Sequence, residues 1–305
     1  SVVFLYSSYT DFDDFNNKVD LHFNLKNSVI HTDDLAFFSN DLKETKKQIN
    51  IHGSIHGFVN QLISDQLRCS MGESFFDGKI NLQNITQIEK LVFEIKAKKI
   101  ITNPNEIERY SQIKDLFNDF KMLDNIEFSG ALIGSKSKLD IDGICATNLG
   151  KINTKLSLGF PKNNPINYQG YIRSDQLALG NLIANESIGT IDFDITLEGS
   201  GNSLVSLITE AKGNIFEITY QGITYQNIKL NASISNQIIL ADFESREQDY
   251  TLLVKSETNL QNEQPKWNAN IDIQNFPFKL NYPDTNHRQI SCSGEIDITG
   301  NSIDE

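Results

Sequence analysis

Two histidines four residues apart, His52 and His56, are by type the best candidates to hold a metal. They lie in the run Ile49-Asn50-Ile51-His52-Gly53-Ser54-Ile55-His56-Gly57, whose alternation reads as a β-strand. Residues four apart on a strand share a face but stand about 13 Å apart, at a rise near 3.3 Å per residue. A zinc ion needs both ligand nitrogens within roughly 2.1 Å of itself. The pair therefore cannot share a metal unless Gly53 bends the chain sharply, and no acidic or cysteine partner lies nearby in sequence. His22, His31 and His287 are scattered singly.

Carboxylates are plentiful: Asp11, Asp13 and Asp14, then Asp140 with Asp142, Asp192 with Asp194, and Asp297. Acids two apart on a strand face could in principle bind calcium. Each pair here alternates with Ile, Phe or Leu, which makes it the wet side of an amphipathic strand. Cys69, Cys145 and Cys292 are odd in number, far apart and form no CxxC pair, so they read as small apolar fillers. No GxSxG, P-loop, HExxH or GxGxxG strand-turn-helix motif is present. Gly199-Ser200-Gly201 lacks the helix and downstream acid of a dinucleotide site. The expectation is a chain that is not an enzyme, with no catalytic residues, no metal and no cofactor.

The clearest structural elements lie between Gly189 and Leu230. Ile191, Phe193, Ile195 and Leu197 alternate with Asp192, Asp194, Thr196 and Glu198, which puts all the apolar side chains on one strand face. Gly199 to Ser203 forms a turn cluster, a short apolar pick-up follows at Leu204, Leu207 and Ile208, and then come strands Gly213–Tyr220 and Ile223–Ala232. The shape of alternating strand, glycines and apolar pick-up recurs at 49–57 (then Leu62 and Ile63), at 126–134 (then Leu139 and Ile141) and at 290–300. The spacing is irregular, as in a degenerate β-repeat. Further strands are predicted at 20–29, 79–82, 90–101, 138–145, 150–160, 166–173, 238–244, 250–257 and 267–273.

Three helical insertions interrupt them. Asp33–Leu42 has an acidic cap before apolar residues at near-helical spacing. Pro104 and Glu106 open a second helix, with Ile107, Tyr110, Ile113, Phe117 and Phe120 recurring at three- and four-residue intervals to Leu123. A short third one covers about 175–185. The whole of 1–305 is expected to be one continuous β-segment without a compact domain boundary, in some 20–25 strands spaced near 4.8 Å.

The bulk numbers agree with a sheet wetted on one face. Hydrophobic residues make up 39% of 305, and the net charge is −13. That charge argues against a nucleic-acid binder, which needs a basic footprint, and against docking on an anionic leaflet. No apolar run approaches the roughly 18–20 residues that span a bilayer. The chain starts without Met and stops at Asn301–Glu305, and reads as a piece of a longer protein.

The runs Tyr168–Leu182, Leu197–Leu204 and Gly213–Leu230 together resemble the TamB-like proteins of the AsmA-like (bridge-like lipid transfer) superfamily, Bacteroidetes type. Asp34-Leu35-Ala36-Phe37-Phe38 and Pro265–Ile273 fit the same pattern. The resemblance runs from about residue 20 onward and rests on glycines, aromatics and alternation. It implies a mostly β fold: an elongated, curved antiparallel sheet forming a hydrophobic groove (a β-taco), with one or two short helices.

The implied function is a periplasm-spanning groove that passes phospholipids between inner and outer membranes and is linked to outer-membrane biogenesis. The implied partners are phospholipids and an Omp85-family (TamA-like) outer-membrane barrel. Inner-membrane contact would come through an anchor outside this segment. The groove lining would be Ile126, Phe128, Ile191, Phe193, Ile195, Leu197, Ile218, Tyr220, Ile228 and Leu230. The rival readings are a structural scaffold of an outer-membrane translocation and assembly module, acting through strand edges, and a surface adhesin with aromatic loops. Alternation alone does not distinguish an open groove from a face sealed by a second sheet.

Overall fold

The computed structural model describes residues 1–35, 47–106, 123–261, 264–278 and 288–300. Its contacts divide the chain into two units, Ser1–Asn148 and Leu149–Glu305. The first holds strands β1 (Val2–Leu5), β2 (Asp20–His31), β3 (Gln48–Phe58), β4 (Gln61–Met71), β5 (Ser74–Gln83), β6 (Val92–Thr102), β7 (Ile126–Ser135) and β8 (Lys138–Thr147). It also holds single-turn helices α1 (Phe15–Lys18) and α2 (Thr32–Leu35). Each strand pairs antiparallel with the next.

The second unit runs β9 (Gly150–Gly159), β10 (Asn167–Asp175), β11 (Ile188–Ser200), β12 (Ile208–Tyr220), β13 (Ile223–Ser235), β14 (Ile238–Arg246), β15 (Thr251–Asn259), β16 (Lys266–Phe278) and β17 (Arg288–Thr299), with helix α3 (Leu179–Leu182) after β10. It too is an antiparallel meander in sequence order. The protein is thus mostly β, open and antiparallel, with short helices, as the alternation predicts.

Several boundaries differ from the expectation. Seventeen strands are described rather than twenty or more, because most run 9–13 residues before their turns. The segment after Phe58, expected as an apolar pick-up, is the full strand β4. Its alternation is broken by a register shift between Ser64 and Leu67, and an extra residue there inverts the period-two pattern that would have announced it. The pick-ups at Leu139 and Ile208 are likewise the starts of the next hairpin strands.

The helix expected at 33–43 is a single turn as far as Leu35, and its remainder lies outside the described residues. Residues 104–106 are helical, and 107–122 lie outside the description. Asn103 caps that turn, accepting from Glu106 N at 2.9 Å, and Lys47 Nζ reaches Glu106 Oε2 at 2.7 Å. The helix expected at 175–185 shrinks to α3, since Gln176 takes a positive φ of 50° directly after β10.

A second sheet would leave a dense core, but few described residues are fully buried. The buried apolar set is confined to Val19, Leu21, Leu67, Ala97, Leu149, Leu177, Ile191, Ile215, Ile223, Tyr225 and Ile228. Most described apolar residues are half-buried rather than fully buried.

The curvature has a visible cause in the first unit. Register shifts recur strand after strand: between Leu25 and Ser28, Ser54 and His56, Ser64 and Leu67, Asp77 and Gly78, and Ala97 and Ile100. They fall beside one cross-strand row, Gly53–Leu67–Gly78–Ala97–Gly130–Gly143. Bulges bend and over-twist a strand, so a line of them creases the sheet. The crease is well shielded: Ser64 is 0% exposed, and Leu67 and Ala97 are each 7% exposed. Gly130 shows why small residues are needed there. A Cβ on it would lie 2.3 Å from the Asp142 carbonyl oxygen, and its φ is +149°.

Candidate functional site: an apolar sheet face

The chemistry-bearing residues do not assemble into a reactive site. His52 faces Arg68 in register, while His56 pairs with His22 and stacks on it at 6.1 Å. His22 Nε2 lies 3.2 Å from Asp20 Oδ2. The two histidines close in sequence are therefore apart in function, and the pair that meets is joined by register. Among the described residues no group of three His, Cys, Asp or Glu side chains is placed to hold a metal.

The acids serve local structure. Asp11 accepts from Ser7 N at 2.8 Å and from Ser8 N at 2.9 Å, Asp192 accepts from Gln176 N, and Asp140 pairs with Lys138 at 2.9 Å. Cys69 and Cys145 lie half-buried in the cross-strand row Ile51–Cys69–Phe76–Ile100–Phe128–Cys145. Burial pushes both thiols above their usual pKa, which keeps them protonated and unreactive. Cys292 is exposed on β17.

What the structure does assemble is a face. Directly opposed residues in an antiparallel pair point the same way, so registers can be followed across the sheet. In the second unit one row reads Ile172–Ile195–Gly213–Leu230–Phe243–Val254–Ile271. Beside it runs Gly170–Leu197–Ala211–Ala232–Ala241–Ser256–Ala269–Ile296, and beyond that Tyr168–Gly199–Thr209–Ile234–Ile239–Thr258–Trp267–Ile298. The middle row carries small side chains on five consecutive strands, Ala211 through Ala269, between taller neighbours. It forms a furrow that crosses the strands, and the five strands that carry this small-residue stripe, at about 4.8 Å each, make it roughly 19 Å long.

All the residues expected to line a groove fall on this side of their sheets. Ile195, Leu197 and Leu230 are half-buried members of the rows above. Phe193 opposes Ile215, which opposes Ile228, and Ile191 opposes Ile218. Ile191 and Ile228 are buried outright, at 7% and 6% exposure, so they support the face from within, whereas Tyr220 is exposed. In the first unit Phe128 lies between Ile100 and Cys145, and Ile126 opposes Thr102.

Alternation failed to show how the face stays apolar past residue 216. Opposite β11 the register shifts between Asp192 and Phe193, leaving Phe216 as an extra residue on β12. Asn227, at φ 53°, makes the matching irregularity on β13. Together they carry Ile218 and Tyr225 onto the same side as Ile215 and Ile228. Ser174 Oγ patches the first irregularity, donating to Ile191 O at 2.9 Å and accepting from Phe193 N at 3.0 Å. Ser245 Oγ patches the second by donating to Gln226 O at 3.1 Å.

The opposite side of the second unit is a charge mosaic, with Glu210, Lys212, Asp242, Lys255, Glu257 and Glu295 around a shallow depression of 680 Å³. A twisted sheet is saddle-shaped and so dips on both faces along different diagonals. These side chains alternate sign and are solvated, and the depression holds no converging set of ligands. Comparison of the chain with family models, with curated proteins and with solved structures finds no match.

Proposed function

We propose that the chain is a segment of a TamB-like lipid conduit, a non-enzymatic apolar trough that passes phospholipids across the periplasm between inner and outer membranes and serves outer-membrane biogenesis. One observation carries the reading. Among the described residues, rows rich in Ile, Leu, Phe, Val and Ala cross each unit's strands, and most of their side chains are half-buried rather than fully buried. Apolar surface left to water costs about 25 cal/mol per Å², which acyl chains lying in the furrow would recover. Small side chains along the furrow floor leave room for such chains without a shaped pocket. The inner-membrane anchor, the periplasmic location and the Omp85-family barrel partner follow from the sequence resemblance and belong to the same proposal.

Native mass spectrometry of detergent-free protein tests it. Co-purifying phospholipid, and crosslinks to lipid from a photoreactive residue at Phe193 or Ile195, are expected. Crosslinks from positions 192 or 194 alone would refute it.

A scaffold role is the second reading, and the β17 edge favours it. All twelve β17 residues are exposed, and among the described residues of its unit the strand pairs only with β16. An added strand could dock there by backbone pairing. Capture of a barrel protein by lipid-free protein, lost when β17 is interrupted with proline, would support that reading.

A further inference from the structure

We infer that Tyr225, Tyr250 and Phe276 clasp shut one rim of the second unit's trough, so that lipid exchanges through the opposite rim and keeps its headgroup there. The inference rests on the reading of the trough as a phospholipid carrier and says which way round the lipid lies.

Tyr225 and Phe276 belong to β13 and β16, with the β14–β15 hairpin between them. At about 4.8 Å per strand, a flat sheet would hold them about 14 Å apart. Their rings instead lie parallel, at 5°, with centroids 4.8 Å apart. Tyr225 Oη donates to Pro277 O at 2.8 Å. Tyr250, at the tip of the intervening hairpin, meets Phe276 edge-on at 5.6 Å. Its hydroxyl donates to Gln226 O at 3.2 Å and accepts from Gln226 N at 3.1 Å.

The geometry follows from strand lengths. β14 stops at Arg246 and β15 starts at Thr251, while β13 begins as early as Ile223 and β16 continues to Phe278. The two overhangs meet above the short hairpin. Along this rim Ile223, Tyr225 and Ile228 are each 6–7% exposed and Ser245 is 1% exposed, so these side chains are packed rather than open to a ligand.

The other ends of the same strands differ. Trp267 is 42% exposed there, beside Thr258 and Ile298 in register. Tyr168 and Thr209 add two more hydroxyls to that row, 2.5 Å from each other. Hydroxyls and an indole among aliphatic side chains suit the boundary between phosphate headgroup and acyl chain, where Trp and Tyr place an apolar body and a polar tip. Nine residues of β13 separate Tyr225 from Ile234, about 30 Å at 3.3 Å each. One leaflet with its headgroups is about 20 Å thick, so a whole phospholipid fits with its tails toward the clasp.

The test uses the full chain and two photoreactive phosphatidylethanolamines, one with a diazirine on the headgroup and one with it at the tail end. Crosslinked peptides are mapped by mass spectrometry. The headgroup probe is expected on peptides carrying Thr209, Thr258 and Trp267, and the tail probe on those carrying Ile215, Ile228 and Leu252. Phe276→Ala, which removes the stack, is expected to raise headgroup crosslinks at the Tyr225 rim at least threefold. Tyr225→Phe, which keeps the rings, should leave the map as in the parent. If Phe276→Ala does not fold, the parent map alone decides. Headgroup crosslinks shared equally between the rims, or a reversed map, would overturn the clasp while leaving a lipid carrier. No crosslink from either probe would overturn the carrier reading and this inference together.

Discussion

A short acid on the apolar face separates an open trough from a sealed one, and Ile195 is the position to place it. The Ile195 side chain is half-buried between Ile172 and Gly213. If nothing covers the face, Ile195→Asp loses part of one side chain's burial and some strand preference, about 1–2 kcal/mol in all. The new carboxylate keeps its water. For a unit of roughly 150 residues this lowers Tm by about 3–6 °C.

Ile228 sits two strands away at 6% exposure. Ile228→Asp buries an unpaired carboxylate and leaves a void, which costs about 4 kcal/mol or more, on the order of 12 °C. Thr196→Asp, on the wet side, should change Tm by less than about 2 °C. Melts followed by circular dichroism give the stabilities, and native mass spectrometry gives lipid occupancy. A carboxylate in the path of acyl chains should reduce occupancy at least tenfold in Ile195→Asp, at about 1.4 kcal/mol per factor of ten, and leave Thr196→Asp unchanged. Should Ile195→Asp melt as early as Ile228→Asp, the face is sealed and the argument from its exposure collapses. Unchanged occupancy in a folded Ile195→Asp would remove the trough as the lipid path.

Other outcomes follow from single contacts. Gly130→Ala should cost about 2–3 kcal/mol in denaturant melts, because the new Cβ meets Asp142 O at 2.3 Å at a φ few side chains adopt; Gly294→Ala, with nothing within 4 Å of its Cβ, is the near-neutral control. Asn103→Ala removes the acceptor for Glu106 N and the contact with Glu73 Oε2, at a cost of about 1–2 kcal/mol. Maleimide should label exposed Cys292 well before Cys69 or Cys145 in folded protein, and equal rates would contradict their burial. The folded thiols of Cys69 and Cys145 titrate above their unfolded value of about 8.5, so above that pH the unfolded chain has lost protons that the folded chain keeps. Stability should therefore fall as pH rises above about 8.5, and Cys69→Ser with Cys145→Ser should flatten that slope.

The alternation of Ile191, Phe193, Ile195 and Leu197 with acids was enough to place β11 and its wet side, because strand pleat is a property of neighbouring residues. The helix opening at Pro104 was legible for the same reason, since proline at an early helical position and an acid in the first turn are local signals; its Asn103 cap shows only in the structure. β4 escaped because its register shift at Ser64 inverts the alternation. The separation of His52 and His56 was legible from strand rise alone, whereas the meeting of His56 with His22 depends on register. Phe276 and Tyr225 are 51 residues apart, and nothing in either local pattern announces their stack.

The linear order of residues determined which side chains share a face, how long most strands run, and that half of each strand would stay polar. These depend on backbone geometry over two to four residues, which the chain carries wherever it goes. Tertiary structure decided which rows line up across the strands, where bulges crease the sheet, and that Tyr225 and Phe276 meet across the hairpin between them. Those outcomes depend on hydrogen-bond register between strands, and a shift of a single residue would send every side chain to the other side without altering the pattern read along the chain.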